Sequence, residues 1–450
     1  MRLFEDENVD RRFGRMQWRM LFATMTGYTL FYFMRKNFSF AMPGLQQDCG
    51  ISKSMLGNFL FWGGIVYGLS KFLNGIIGDK VNPRKMLCIG LLACTLVNVA
   101  FGFVPMTAGG SAGALAWGFG VLLVVNQFFQ GTGFPPCAKL IAFWIPPKEL
   151  ATKMSVWNTS QSIGGGLVAK ICGVIMGLGA VGAANQGVGM WRWCFWTMAI
   201  LGFLGLLLML AWLPGTPKDE GLPDLPGTEG GIEKPECGIE DGGRASSSSL
   251  RMVFLNPVIW ILGLINFTIN AVRALVADWG PTMLQEAKGL DPSEAGTVIM
   301  FFEFAGVAGM LFAGWATDRF FGGRAPRLCV FLMVLTAALF CSFWFLPAGL
   351  SGAAALCIGG FCLYGPQALT GVTATNMATM RFAGTAIGFI SLFSYIGVSV
   401  AGKVCGNLAQ SSGGWRLPVL VMVATASVGA VLFACLWPAR ADAYCPKDAR

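Results

Sequence analysis

Apolar runs of about 20 residues recur along almost the whole chain, and that is the length an α-helix needs to cross a bilayer. Hydrophobic residues make up 55% of the 450 positions. Charged residues make up 12%, about half the share that is usual in soluble domains. The runs lack the period-two alternation of membrane β-strands. The sequence therefore predicts an all-α membrane protein.

The apolar runs form twelve predicted spans, six on each side of a polar stretch. In the first half they cover approximately 20–42, 55–78, 86–104, 114–138, 155–180 and 192–213. In the second half they cover approximately 256–285, 293–317, 327–347, 352–378, 384–409 and 416–437. Residues 214–250 are rich in Pro, Gly, Ser and acids, which predicts a cytoplasmic linker. We therefore expect an N-terminal six-helix bundle at 1–213 and a C-terminal six-helix bundle with its tail at 251–450.

The cations in the loops favour one orientation in the membrane. The N-terminal lead and the loops after spans 2 and 8 are basic, whereas the predicted outer loops carry few cations, such as Lys53 and Lys288. The positive-inside rule then places both termini in the cytoplasm, as an even number of spans requires. We expect a multi-pass protein of the cell membrane.

Arg35 and Lys36 stand inside the first predicted span, where a charge costs at least about 2.5–3.5 kcal/mol unless it faces water or a partner. Tyr28, Tyr32 and Arg35 follow the i, i+4, i+7 spacing of one helix face. The same three positions recur 238 residues later as Asn266, Asn270 and Arg273. Internal repeats with a binding site at the membrane midplane are typical of secondary transporters.

Two further correspondences support an internal repeat. The motif Gly75-x3-Asp79 recurs 239 residues later as Gly314-x3-Asp318. In spans 5 and 11, an offset of 233 residues relates Asn158, Gln161, Ser162 and Lys170 to Ser391, Ser394, Tyr395 and Lys403. The agreement of these offsets indicates two superposable halves, each with one buried arginine at the same place.

The ionisable side chains at predicted membrane depth carry a surplus of positive charge. The cations are Arg35, Lys36, Lys71, Lys170, Arg273 and Lys403. We expect the two carboxylates, Asp278 and Glu303, to pair with Lys36 and Lys71. Both arginines are then unpaired, and an unpaired buried cation demands an anion. Two converging guanidinium forks favour a phosphate dianion, whereas a carboxylate would suit a single fork.

Tyrosines and amides inside the predicted spans are candidates to line a polar cavity. The tyrosines are Tyr28, Tyr32, Tyr67, Tyr364 and Tyr395, and the amides are Asn158, Gln161, Asn266 and Asn270. Together with the cations they could bind the phosphate and hydroxyl groups of a sugar phosphate. Two alternatives stay open, because tyrosines also form belts at membrane interfaces and amides also join neighbouring helices.

Several classes of function find no support in the sequence. The net charge of +9 is dispersed and forms no basic-aromatic patch for nucleic acid. Histidine is absent, and the 14 cysteines are scattered without a CxxC pair, which argues against a metal site and against an enzyme. No GxxxxGK[ST] motif is present, so transport must run on gradients without a cofactor.

Five stretches in particular resemble signatures of the organophosphate:inorganic phosphate antiporters of the major facilitator superfamily. They are GYTLFYFMRKNF, FFQGTGFPPC, SVWNTSQSIGGG, VRALVADWG and LFSYIGVSVAG, and the resemblance extends over nearly the whole chain. It is strongest to the hexose-phosphate branch. One departure is Gln161, where relatives often have histidine, so a titratable role at this position is in doubt.

The resemblance implies twelve helices in two pseudo-symmetric bundles and a phosphate site made by Arg35 and Arg273. It implies a monomer in the lipid bilayer that exchanges glucose 6-phosphate or another hexose phosphate for inorganic phosphate by alternating access. The candidates for gating ion pairs are Asp278, Glu303, Asp79 and Asp318. The alternatives are a membrane receptor for hexose phosphate and a carrier of glycerol 3-phosphate or another organic anion, such as a dicarboxylate or a sugar acid.

Overall fold

A computed structural model describes residues 6–107, 112–181, 189–223, 225, 228–229, 232–233, 256–322, 324–377 and 383–437. Most of the predicted linker and the C-terminal tail lie outside these residues. Within the linker, two-residue strands β1 (Thr228–Glu229) and β2 (Ile232–Glu233) pair antiparallel.

Long helices account for nearly all of the remaining described chain. In the first half they are α1 (Glu7–Cys49), α2 (Lys53–Lys80), α3 (Pro83–Thr107), α4 (Ala112–Gln130), α5 (Phe134–Trp144), α6 (Pro147–Val181) and α7 (Trp191–Trp212). In the second half they are α8 (Pro257–Lys288), α9 (Pro292–Phe320), α10 (Ala325–Phe345), α11 (Leu350–Met377), α12 (Ala383–Ser411) and α13 (Arg416–Cys435).

Eleven spans in the described part of the chain are long and apolar enough to cross a membrane, with α4 and α5 forming one of them. The twelfth long helix is α1, which contains Arg35 and Lys36. This pattern confirms the predicted all-α membrane protein. Helix α1 is longer than the predicted span 20–42, because the basic N-terminal lead continues it back to Glu7. Contacts hold this extension: Gln17 donates to the carbonyl of Trp144, and Arg19 donates to the carbonyl of Trp212.

A proline pair breaks the helix of span 4. Helix α4 ends at Gln130, and α5 begins at Phe134 with Pro135 and Pro136 in its first turn. A proline is tolerated there, because the first-turn amides of a helix have no intrahelical acceptor. Gly131 allows close approach at the break, since a Cβ at this position would lie 2.8 Å from the backbone nitrogen of Lys71.

The chain separates into two compact units. Unit 1 contains residues 1–44, 66–168 and 178–239, and unit 2 contains residues 45–65, 169–177 and 240–450. The division predicted at the linker stays a prediction.

Each unit has its own aromatic core. In unit 1, Phe101 and Phe195 stack with ring centroids 4.7 Å apart. In unit 2, Phe302 meets Tyr364 edge to face at 5.9 Å, and Phe312 packs on Phe361 at 5.3 Å.

Gly309 on α9 lies directly against the backbone of Phe361 on α11, and a Cβ there would overlap the Phe361 carbonyl. We expect Gly309→Val to destabilise unit 2 by about 1–3 kcal/mol, the usual cost of overpacking. Thermal unfolding in detergent, followed by tryptophan fluorescence, measures the loss. Gly314→Val is the matched control on the same helix, because a Cβ at Gly314 meets nothing within 4 Å. Equal midpoints for the two variants would contradict this packing.

Candidate functional site

A buried asparagine network fixes the rotation of α1 about its axis. Asn126 donates to the carbonyl of Met34 over 2.8 Å, and Asn37 donates to the Oδ1 of Asn98 over 2.7 Å. Asn98 also donates to the Met34 carbonyl, over 3.4 Å. Inside an apolar region each such bond avoids the cost of an unsatisfied polar group. The network holds the side of α1 that bears Asn37, and thereby orients Arg35 toward the other side.

Arg35 lies among tyrosine rings. Its guanidinium carbon is 3.9 Å from the ring centroid of Tyr67 on α2 and 5.6 Å from that of Tyr32. Both tyrosines are buried, whereas Arg35 is only half-buried. Cation–π attraction is stronger where water is scarce, so the rings stabilise the guanidinium without neutralising it. We call Tyr28, Tyr32, Arg35, Tyr67, Lys71 and Gln161 the Arg35 cluster.

Helix α6 completes the wall of the Arg35 cluster. The Tyr32 hydroxyl donates to the Oε1 of Gln161 over 3.1 Å. The ring of Tyr28 lies 4.6 Å from that of Trp157, and Asn158 follows half-buried on the same helix. The predicted grouping of Tyr28 and Tyr32 with Arg35 and Gln161 is therefore present within unit 1.

The two lysines of the predicted site lie on α1 and α2. The Nζ of Lys71 lies 4.1 Å from the ring centroid of Phe134, the first residue after the helix break. This contact places Lys71 beside the aromatic wall. Lys36 is half-buried on α1, directly after Arg35.

Arg273 on α8 lies in a charged cluster within unit 2. Its Nε donates to the Tyr364 hydroxyl over 2.7 Å, and that hydroxyl donates to the Glu303 carboxylate over 2.6 Å. The Nη2 of Arg273 also forms an ion pair with Glu303 at 3.4 Å. The side chain of Glu303 is 3% exposed and that of Arg273 is 13% exposed. We call Asn266, Asn270, Arg273, Glu303 and Tyr364 the Arg273 cluster.

This ion pair corrects one expectation from the sequence. We expected Glu303 to pair with a lysine and Arg273 to be unpaired. The carboxylate of Glu303 instead neutralises Arg273, and Tyr364 bridges the two. Sequence patterns cannot reveal this pairing, because residues on α8, α9 and α11 meet through tertiary packing alone.

The amides of the Arg273 cluster join helices α8 and α12. Asn266 donates to the backbone carbonyl of Ile390 over 3.0 Å. Asn270 donates to the Oδ1 of Asn266 over 2.9 Å and to the Oγ of Ser394 over 3.2 Å. In this structure, Asn266 therefore joins two neighbouring helices, which was the alternative to lining a cavity. Asn270 is half-buried and shares its amide between the two helices.

Four further predicted residues lie at other positions along the helices. Asp278 is buried on α8, and its five-residue separation from Arg273 places it on another side of that helix. Tyr395 is half-buried on α12. Asp318 is exposed near the end of α9. Asp79 lies in the last turn of α2, and its side chain is outside the described residues.

Sequence reasoning missed Trp157 and Phe134. Both rings flank Tyr28, with centroid distances of 4.6 Å and 6.4 Å. A signal was available, because Trp157 directly precedes Asn158 and Phe134 directly precedes the proline pair.

Among the described residues, no three His, Cys, Asp or Glu side chains are grouped to hold a metal ion.

Comparison with protein families identifies one match. The profile of the Major Facilitator Superfamily matches residues 24–402. Two solved structures share the fold. A bacterial homolog of the human lysosomal transporter Spinster aligns with TM-score 0.75 at 15% identity, over 96% of this chain and 99% of that one. The xylose transporter XylE from E. coli aligns with TM-score 0.71 at 14% identity, over 93% and 96% of the two chains.

Named relatives are similar over nearly the whole chain. The glycerol-3-phosphate transporter of Bacillus subtilis is 31% identical over 96% of this chain and 95% of its own. A "probable hexose phosphate transport protein" of Chlamydia pneumoniae is 32% identical over 97% and 94%. The membrane sensor protein UhpC of Escherichia coli is 34% identical over 88% and 86%.

Removing one member of the buried ion pair should cost more than removing both. Arg273→Gln leaves the Glu303 carboxylate buried without its cation, which we expect to cost about 3 kcal/mol. Adding Glu303→Gln to that variant should recover at least half of the loss. Thermal unfolding of both single variants and the double variant in detergent measures this coupling. Purely additive losses would contradict a coupled pair.

Proposed function

Because the chain belongs to the Major Facilitator Superfamily, in the branch of the organophosphate:phosphate antiporters, we propose that it exchanges a sugar phosphate for inorganic phosphate across the membrane. One observation carries the proposal. The transporters named for glycerol 3-phosphate and hexose phosphate match 96% and 97% of this chain. The substrate class is therefore organophosphate, and the finer choice is a hexose phosphate such as glucose 6-phosphate.

The chemistry of the two clusters supports a phosphoryl group as the recognised part of the substrate. A guanidinium presents several N–H donors in a plane and stays charged at every physiological pH. Arg35 and Arg273 both have tyrosine hydroxyls or amides nearby, which suit the phosphate and hydroxyl oxygens of a sugar phosphate. We propose that both arginines contact the phosphoryl group, with Tyr28, Tyr32, Tyr67 and Gln161 as further contacts from unit 1.

Glu303 has a separate part in this mechanism. In the structure its carboxylate neutralises Arg273, so an arriving phosphate must compete with it. Phosphate brings two negative charges and more acceptor oxygens than one carboxylate, which favours the exchange of partners. When the substrate leaves, Glu303 returns to Arg273 and lowers the cost of an empty site. The Glu303 carboxylate thus lets the substrate leave Arg273 without leaving that buried guanidinium unpaired.

Alternating access then yields exchange rather than one-way flow. Closing the protein around an empty site would desolvate the guanidinium groups that bind the substrate, whereas a bound phosphoryl group supplies them with a dianion. Reorientation occurs readily only with a substrate bound, and either organophosphate or inorganic phosphate serves. We further propose a monomer in the cell membrane with both termini in the cytoplasm.

A sensor is the second candidate function. The membrane sensor protein UhpC is 34% identical to this chain, which is as high as the identity to the named transporters. A sensor would bind hexose phosphate through the same arginines and transmit a signal without flux. Binding alone therefore does not separate the two functions, and flux does.

Arginine-to-lysine substitutions test the guanidinium requirement. We expect Arg35→Lys and Arg273→Lys each to lower exchange of radiolabelled phosphate in proteoliposomes by about a hundredfold, because lysine lacks the planar fork. Arg11→Lys is the matched control on α1, since Arg11 is exposed and pairs with Glu7. Exchange at the unmodified rate in either cluster variant, with normal folding, would remove that arginine from the site.

A ligand screen tests the substrate class. Purified protein should be stabilised thermally by inorganic phosphate and glucose 6-phosphate, and less by glycerol 3-phosphate and phosphoenolpyruvate. Counterflow of labelled phosphate in proteoliposomes then separates carrier from sensor, because a sensor binds without flux. Stabilisation by a dicarboxylate that excess phosphate does not compete away would favour the other class of anion carrier.

A further inference from the structure

Two segments from the first half of the chain pack inside unit 2. They are residues 45–65, which include the start of α2, and residues 169–177 of α6. Each segment crosses a helix from the second half at glycines. We call the contact of α2 with α12 the first crossing and the contact of α6 with α9 the second crossing.

The first crossing brings two backbones together. A Cβ on Gly57 would lie 2.9 Å from the carbonyl oxygen of Gly402 and 3.3 Å from the Cα of Gly406. A Cβ on Gly406 would lie 2.5 Å from the carbonyl oxygen of Lys53. Any larger side chain must push the helices apart, because the atoms that it meets belong to backbone.

The second crossing has the same construction. A Cβ on Gly296 would lie 3.0 Å from the Cα of Gly173 and would overlap the carbonyl of Ala169. A Cβ on Gly173 would lie 2.8 Å from the carbonyl oxygen of Pro292. Such glycine contacts let the two helix backbones approach closely.

The internal repeat relates the two crossings to each other. Gly57 precedes Gly296 by 239 residues, the offset of the Gly75 and Gly314 motifs. Gly173 precedes Gly406 by 233 residues, the offset of Lys170 and Lys403. The two crossings are therefore equivalent places in the two repeats, and both are built to close tightly.

Polar contacts distinguish the two crossings. Beside the first crossing, Lys53 at the start of α2 pairs with Glu286 on α8 at 2.5 Å, and the indole Nε1 of Trp415, which precedes α13, donates to the same carboxylate over 2.8 Å. The Ser54 hydroxyl donates to the Oδ1 of Asn407 over 2.6 Å. The side chains of Lys53 and Glu286 are 18% and 38% exposed, so water can reach the pair.

At the second crossing, a lysine bonds a neutral hydroxyl group. The Nζ of Lys170 donates to the hydroxyl of Thr297 over 2.8 Å. A hydroxyl bonds a cation less strongly than a carboxylate does. The first crossing is thus held by an ion pair and the second by a weaker bond.

We propose that Lys53, Glu286 and Trp415 form a latch that holds the first crossing closed. Release of this latch is the step that opens the end of the protein where α1 meets α2. The latch goes beyond the proposed function, since it concerns how the protein opens and not what it carries. Water reaches the Lys53–Glu286 pair and weakens it, so the pair can break and form again within each transport cycle.

A reversible cross-link across the first crossing tests the opening step. Ser54→Cys and Asn407→Cys together place two thiols where the native hydroxyl and amide already touch, and a short bis-methanethiosulfonate reagent joins them. We expect cross-linked protein in proteoliposomes to lose at least tenfold of its phosphate exchange and to regain it with dithiothreitol. The reagent-treated single variants control for the native cysteines. Cross-linked protein that exchanges at the rate of the single variants would overturn the proposal.

A second measurement tests the ion pair without relying on transport. In the double-cysteine background, Glu286→Gln should slow cross-link formation about fivefold, because the closed state is less populated. Glu7→Gln, which removes an exposed ion pair on α1, is the matched control. Exchanging the charges with Lys53→Glu and Glu286→Lys should restore part of the rate, because the ion pair forms again without the Trp415 hydrogen bond. An unchanged rate in the Glu286→Gln variant would overturn the latch, whether or not the protein transports phosphate.

Discussion

The packing around α1 and α8 depends on two guanidinium groups that cannot lose their protons. Arginine stays charged at any physiological pH, so a buried arginine needs either water or a partner supplied by the fold. Much of what surrounds α1 and α8 meets that need. The asparagine network turns α1 so that Arg35 meets tyrosine rings, and α9 and α11 bring Glu303 and Tyr364 to Arg273.

The two arginines occupy equivalent sequence positions but have different chemical surroundings. Arg35 lies against the face of Tyr67, whose ring attracts the cation. Arg273 contacts the Glu303 carboxylate, which neutralises its charge. Under the proposed function, Arg273 would exchange its carboxylate partner for the phosphoryl group, whereas Arg35 would meet that group from among aromatic rings. The duplication of the arginine therefore does not imply duplication of its role.

The helices and the grouping on α1 could be predicted from the sequence, because both depend on local spacing. Runs of apolar residues define spans, and the i, i+4, i+7 spacing places Tyr28 and Tyr32 with Arg35. The pairing of Arg273 with Glu303 could not be predicted, since 30 residues separate the partners and the charges alone equally allowed Lys36 or Lys71. Likewise, residue type alone could not tell that Asn266 bonds the α12 backbone while Gln161 meets Tyr32. The partner of each side chain depends on which helices pack together in the folded protein.

The equivalence of the two glycine crossings has an evolutionary consequence. A half-length ancestor that dimerised about a two-fold axis would make an isologous interface, in which one glycine pair serves twice. In a dimer of identical chains, any substitution at one crossing appears at the other as well. Fusion of two gene copies removes that restriction, and Lys53 could then acquire Glu286 as a partner while Lys170 kept a threonine hydroxyl. One linked polypeptide can thus hold its two sides with unequal strength, which a symmetric pair cannot do.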